Sequence, residues 1–229
     1  MEAQACPPSP NFDFLFEDWS PSDGLLSGFR APIKLRKNGA VCTPDGHTDS
    51  WVGIESALGG LAQVGWTHDG TKGYCRFWQW FDASGGTTGP QLSRCQQDAD
   101  GDVRLYKIQQ WFNPDERTYH YGIYDCAEAG WGTCTQLNGG PSLAEMGSPV
   151  VGEVVAESSD GGTQCINDLM GSQAQPTLFG GSDPIKGQKS LGGSWQVRSL
   201  TYGTADLQCS EYVSPTHTDD TFRTYDSNT

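Results

Sequence analysis

Long helix-forming runs are what this sequence most plainly lacks. No segment strings Ala, Leu, Glu and Lys together at helical spacing, and only 18% of the 229 residues are charged. Such a chain gives little support to a helical fold. No apolar stretch approaches the roughly eighteen residues of a membrane helix, so membrane insertion is not expected. Positive charge is scarce as well: 14 Lys and Arg stand against 28 Asp and Glu, a formal net charge of −14. Phosphate is bound mainly through clustered cations, so nucleic acid is excluded as an expected partner, and an anionic membrane surface likewise. The same imbalance leaves few surface cations to repel one another in acid.

The familiar signatures of nucleophile, phosphate and metal chemistry are missing too. There is no G-x-S-x-G, no H-E-x-x-H, no Gly-rich phosphate loop and no lone cysteine with an evident histidine partner. The histidines, His47, His68, His120 and His217, are scattered and read as surface or loop residues. "DADGD" at 98–102 sets Asp98, Asp100 and Asp102 at alternate positions, as a calcium loop would. The loop's twelfth position falls on Gln109, where a bidentate acid is required, so the stretch reads as a turn between strands. No metal and no cofactor is expected.

Cysteines number eight: Cys6, Cys42, Cys75, Cys95, Cys126, Cys134, Cys165 and Cys209. None is spaced as C-x-x-C or beside a histidine pair, so disulfides and an extracellular, oxidising site are expected in preference to zinc. Cys126 and Cys134, flanking "AEAGWGT", look like a short loop clip. The opening "MEAQACPPSP" has neither a basic nor an apolar leader region, so no signal peptide is expected in the residues shown.

Turns and short apolar runs are abundant, with Gly 30, Pro 13 and aromatics at 11%. From about residue 25 the runs succeed one another: "SGFRAPIKLRK", "SWVGIES", "LAQVGWTH", "GYCRFWQWF", "VRLYKIQQWF", "TYHYGIYDC", "CTQLN", "VVGEVVAES", "TLFGG" and "SWQVRSLTYG". Their regular spacing between Gly, Asp, Asn, Pro and Ser turns predicts an all-β chain folded as an antiparallel two-sheet β-sandwich. The expected layout is an irregular N-terminal arm over 1–24, a disulfide-stapled sandwich over 25–212 and a loose polar tail over 213–229.

Alternation assigns faces. In "GYCRFWQWF", Tyr74, Arg76, Trp78 and Trp80 share one face, while Cys75, Phe77, Gln79 and Phe81 share the other. Two polar residues sit where apolar ones would be expected. Gln63 interrupts "LAQVGW", and a buried amide is costly unless hydrogen-bonded. Glu153 interrupts "VVGEVVAES", with Val151 and Val155 on its own face. A carboxyl so placed is suited to accept and donate protons, or else it pairs with a partner.

"SWVGIES", "AQVGW", "RFWQWFD" and "VVGEVVAES" follow in the order and approximate spacing of the glutamic peptidases, or eqolisins, and the chain resembles that family over roughly residues 28–180. It departs at Glu55, Val64 and Val154, where the family has Asp, Thr and Trp. The resemblance implies a lectin-like, concanavalin-type jelly roll whose concave face carries a catalytic Gln/Glu dyad that cleaves polypeptides in acid without a metal. It places Gln63 and Glu153 at the dyad, and Trp78, Trp80, Trp51 and Glu55 along the substrate groove. Two other readings accompany it: a catalytically silent module binding glycan or peptide by aromatic stacking, and a secreted structural subunit that self-assembles.

Overall fold

Strand alternation governs most of the described residues. The computed structural model describes residues 12–21, 26–35, 47–127, 133–147, 149–158, 169–172, 175–178, 193–202, 210–213 and 221–226. In chain order the elements are β1 (Phe12–Pro21), β2 (Leu26–Lys34), β3 (His47–Ser56), β4 (Leu61–Asp69), β5 (Gly73–Phe81), β6 (Gln91–Ser93), β7 (Val103–Asn113), β8 (Thr118–Cys126) and β9 (Cys134–Asn138). A single helical turn, α1 (Leu143–Met146), precedes β10 (Pro149–Ser158), β11 (Leu169–Ser172), β12 (Gln175–Leu178), β13 (Gly193–Tyr202), β14 (Ser210–Val213) and β15 (Thr221–Asp226). They form two antiparallel sheets, ordered β13-β1-β10-β3-β4-β5-β6 and β14-β15-β11-β2-β7-β8-β9, with β12 added against β2. Among the described residues no helix is long and apolar enough to cross a membrane.

The facing sides bury one apolar layer. Val52, Ile54, Ala62, Val64, Trp66 and Val154 of the first sheet meet Phe29, Ala31, Ile33, Tyr106, Ile108, Tyr121 and Ile123 of the second. Burying each large side chain here stabilises the fold by about 1.5–3 kcal/mol. Gly152 of β10 is part of the fit, since a Cβ there would come within 2.2 Å of the Phe29 ring. Arg76 carries positive charge into this layer. It is 6% exposed and binds Asp98 through Nε, at 2.8 Å, and Nη2, and Asp125 through Nη1 at 2.5 Å. Asp125 also accepts from Arg104 Nε at 2.9 Å and Nη2 at 2.6 Å, so the network ties β5 to β7 and β8 across the sandwich.

The β3–β4 hairpin turns on "ALGG". Ser56 Oγ accepts from the N–H groups of Leu58 and Gly60, and Gly59 adopts φ +86°, which favours glycine. Gly60 is needed for another reason, because a Cβ there would lie 2.1 Å from the Met146 carbonyl of α1. Disulfides join Cys75 to Cys95 and Cys126 to Cys134, the second being the expected loop clip. Cys6, Cys42, Cys165 and Cys209 lie outside the described residues.

Both chain ends differ from expectation. Residues 12–21 are no irregular arm: β1 is an interior strand, paired along its length with β10 on one side and β13 on the other. Backbone ladders on both edges outweigh the turn-prone Asp, Ser and Pro residues that suggested otherwise. Within the supposed loose tail, β15 pairs with β11 and β14. The strands β6, β11 and β14 were equally unmarked by the sequence, each being four residues or fewer.

Candidate active site

The first sheet turns a second face away from the apolar layer, and the antiparallel register decides which residues meet there. Gly53 of β3 is opposite Gln63 of β4 and also opposite Glu153 of β10. Directly opposed residues share a face, so one row crosses the sheet: Glu153, Gly53, Gln63, Gln79. The register therefore brings the two sequence-singled residues onto one face, flanking one glycine, with backbones about 10 Å apart. Trp51 and Glu55 lie on the same face two residues either side of Gly53.

Packing explains the glycine. A Cβ on Gly53 would lie 2.6 Å from Trp51 Cζ3, so the indole occupies the space above Gly53, between the two row neighbours. Trp51 is buried, and its Nε1 donates to Glu157 Oε2 at 3.1 Å. Phe77 and Val155 pack with it, and Leu61 and Leu92 border that cluster.

The Gln63 amide has its partner. Its Nε2 donates to Gln79 Oε1 at 3.3 Å, and Gln79 Nε2 donates in turn to Thr87 Oγ1 at 3.0 Å in the loop after β5. That loop is held by Asp82, whose Oδ1 accepts from Ser84 N and Oγ and from Gly86 N. Gln63 borders a cavity of about 310 Å³. One side of it is Gln79, Phe77, Phe81, Pro90 and Leu92; the other is His47, Asp49, Thr67, Asp69 and Glu157. Glu153 is 2% exposed and is not among the residues bordering that cavity.

The polar end of the cavity is strongly acidic. Asp49 of β3 is opposite Glu157 of β10, and His47 Nε2 lies 3.3 Å from Glu157 Oε1 and 3.6 Å from Asp49 Oδ2. Burial pushes the Asp49 carboxyl up to about 7; Glu157 adds to the rise, while His47 and Thr67 oppose it. His47, Asp49 and Glu157 are the trio of ligand-type side chains that converges among the described residues.

Two placements correct the sequence reading. Trp78 and Trp80 do not line this face: they alternate with Gln79 and pack against the apolar layer between the sheets. The aromatics beside Gln63 are Phe77 and Phe81, the opposite parity of the same strand. His47, expected on the surface or in a loop, instead opens β3 half-buried among carboxylates. Its neighbours were within reach of the sequence. Glu157 shares the parity of Glu153 in "GEVVAE", and Asp49 that of Trp51, but only the register of β10 on β3 brings them together.

No protein-family model and no curated protein matches the chain. Solved structures do. A scytalido-glutamic peptidase bound to a peptide-based transition-state analogue matches with a TM-score of 0.59 at 12% identity, covering 93% of this chain and 97% of that one. SCP-B, a member of the eqolisin family of peptidases in complex with the tripeptide Ala-Ile-His, matches with a TM-score of 0.56 at 8% identity, covering 95% and 100%. Over nearly its whole length, the chain has the β-sandwich fold of these glutamic peptidases.

Proposed function

We propose that the protein is an acid-acting peptide-bond hydrolase of glutamic-peptidase type, with Glu153 as the acid–base residue and Gln63 as the amide that stabilises the transition state. The observation that carries this reading is the shared row: Glu153 and Gln63 oppose the same glycine, on the face turned away from the core of a sandwich with the glutamic-peptidase fold.

In this mechanism the Glu153 carboxylate takes a proton from a water held above the Trp51 indole, and the water oxygen attacks the scissile carbonyl carbon. The carbonyl π pair moves onto oxygen, and the Gln63 Nε2–H donates to that oxyanion, a preorganised contact worth about 3 kcal/mol. Collapse breaks the C–N bond, and Glu153 returns its proton to the leaving amine. Gln79 acts on Gln63, its hydrogen bond fixing the amide plane. Phe77, Phe81 and Leu92 offer an apolar wall for a substrate side chain. An extracellular location accords with the disulfides among the described residues.

The test is cleavage of a denatured protein between about pH 2 and 5 by the wild type, Glu153→Gln and Gln63→Ala. Loss of an oxyanion donor lowers kcat by about a hundredfold or more, so both variants should fall at least that far. A wild type that cuts no faster than Glu153→Gln ends this reading. The same outcome supports a second one, a catalytically silent binding module, which the 2% exposure of Glu153 favours.

A further inference from the structure

Beside the row, and independent of whether it is catalytic, the cavity ends in His47, Asp49 and Glu157. Their ligand atoms all lie within 4.8 Å of one another. The His47 Nε2 separations, 3.3 Å to Glu157 Oε1 and 3.6 Å to Asp49 Oδ2, match the roughly 3.3 Å edge of a tetrahedron with metal–ligand bonds of about 2.0–2.1 Å. Asp49 supplies a second, separate sign of a ligand. It is 9% exposed, it borders the cavity, and its Oδ1 is buried with no hydrogen-bond partner in the structure. A carboxylate oxygen left so is expensive unless something positive meets it.

From this geometry we infer that His47, Asp49 and Glu157 form a binding site for one divalent transition cation of the zinc class. A neutral imidazole with two carboxylates balances a 2+ charge, and one nitrogen with two oxygens suits zinc better than calcium, which takes six to eight oxygens. Three protein ligands leave a fourth position, and the cavity they border has room for it. Trp51 Nε1, donating to Glu157 Oε2, orients that carboxylate so that Oε1 faces His47. Thr67, which also borders the cavity, lies beside the Asp49 carboxyl. The site joins β3 to β10, so a bound ion would cross-link the two strands that carry Trp51 and Glu153.

The test uses the full, oxidised chain stripped with a chelator and dialysed at about pH 7.5, then titrated with zinc chloride by calorimetry and followed by thermal unfolding. One zinc per chain should bind, with a rise in Tm of a few degrees at saturation. Asp49→Asn and His47→Gln should each weaken binding at least about tenfold and remove the rise. His47 sits half-exposed at the start of its strand, so His47→Gln keeps the test decisive even where Asp49→Asn folds poorly. Absence of stoichiometric binding overturns the inference. Binding left intact in both variants overturns it equally, since the ion would then sit elsewhere, as at His120 and Glu116.

Discussion

Replacing Arg76 by Met should be the most damaging single change in the described structure, and the reason is charge rather than volume. Met fills most of the same space beside Trp66, over which the guanidinium lies at 5.5 Å. What it removes is the cation between two carboxylates whose side chains are 11% and 8% exposed, Asp98 and Asp125. Asp125 keeps Arg104, so the loss falls mainly on Asp98, which forfeits both its bonds to Arg76. Breaking a buried pair from one side destabilises by about 3–5 kcal/mol, roughly a fifth or more of a typical stability of 5–15 kcal/mol. In a chain of this size that lowers Tm by roughly 10 °C. Arg104→Met should do far less, because Arg104 is 22% exposed and Asp125 retains Arg76. Adding Asp98→Asn to Arg76→Met should recover much of the loss by removing the stranded charge. Urea unfolding at neutral pH with disulfides intact measures all four proteins. A loss below about 1 kcal/mol for Arg76→Met, or no recovery in the double variant, would refute the reasoning.

Gly53→Ala forces the new methyl against the Trp51 indole, 2.6 Å away. It should destabilise by about 1–3 kcal/mol and lower peptide cleavage by more than its effect on folding explains; unfolding and activity measured on one preparation separate the two. Asp49 gives a pH prediction for the metal-free protein. Its folded value is raised from 3.8 to about 7, so the folded state holds more protons than the unfolded one between those limits. Stability therefore falls as pH rises from about 4 to 7, by up to about 4 kcal/mol. Asn at this position should flatten that slope in Tm measured against pH with a chelator present, and an unchanged slope would discount the assignment.

Much of this arrangement is legible in the sequence, and the limits are physical. Runs such as "SWVGIES" and "GYCRFWQWF" declare themselves because alternation and bounding turns are local. Face parity is local too, which is why Gln63 and Glu153 stand out as polar residues in apolar strands. Choosing which face of β5 meets the second sheet is not local. Trp78 and Phe77 are equally apolar, and only the pairing of β4 on β5, with the apolar layer beyond, sends the tryptophans inward. β1 escaped notice because its strand character comes from two neighbours remote in sequence, β10 and β13. The His47, Asp49 and Glu157 trio escaped for the same reason: it exists only once β10 lies on β3.

The position of β1 has a consequence for how the molecule is assembled. Glu153 sits on a strand whose far edge is closed by chain made first, while β1 is itself closed by β13, made more than a hundred residues after it. A nascent chain emerging only as far as β10 already contains every residue of the row. It would still present β1 as a raw ladder of unpaired N–H and C=O groups, open to any strand that arrives before the right one. The sheet that carries the row is thus finished by a segment outside the row, and pairings so distant in sequence make for slow folding.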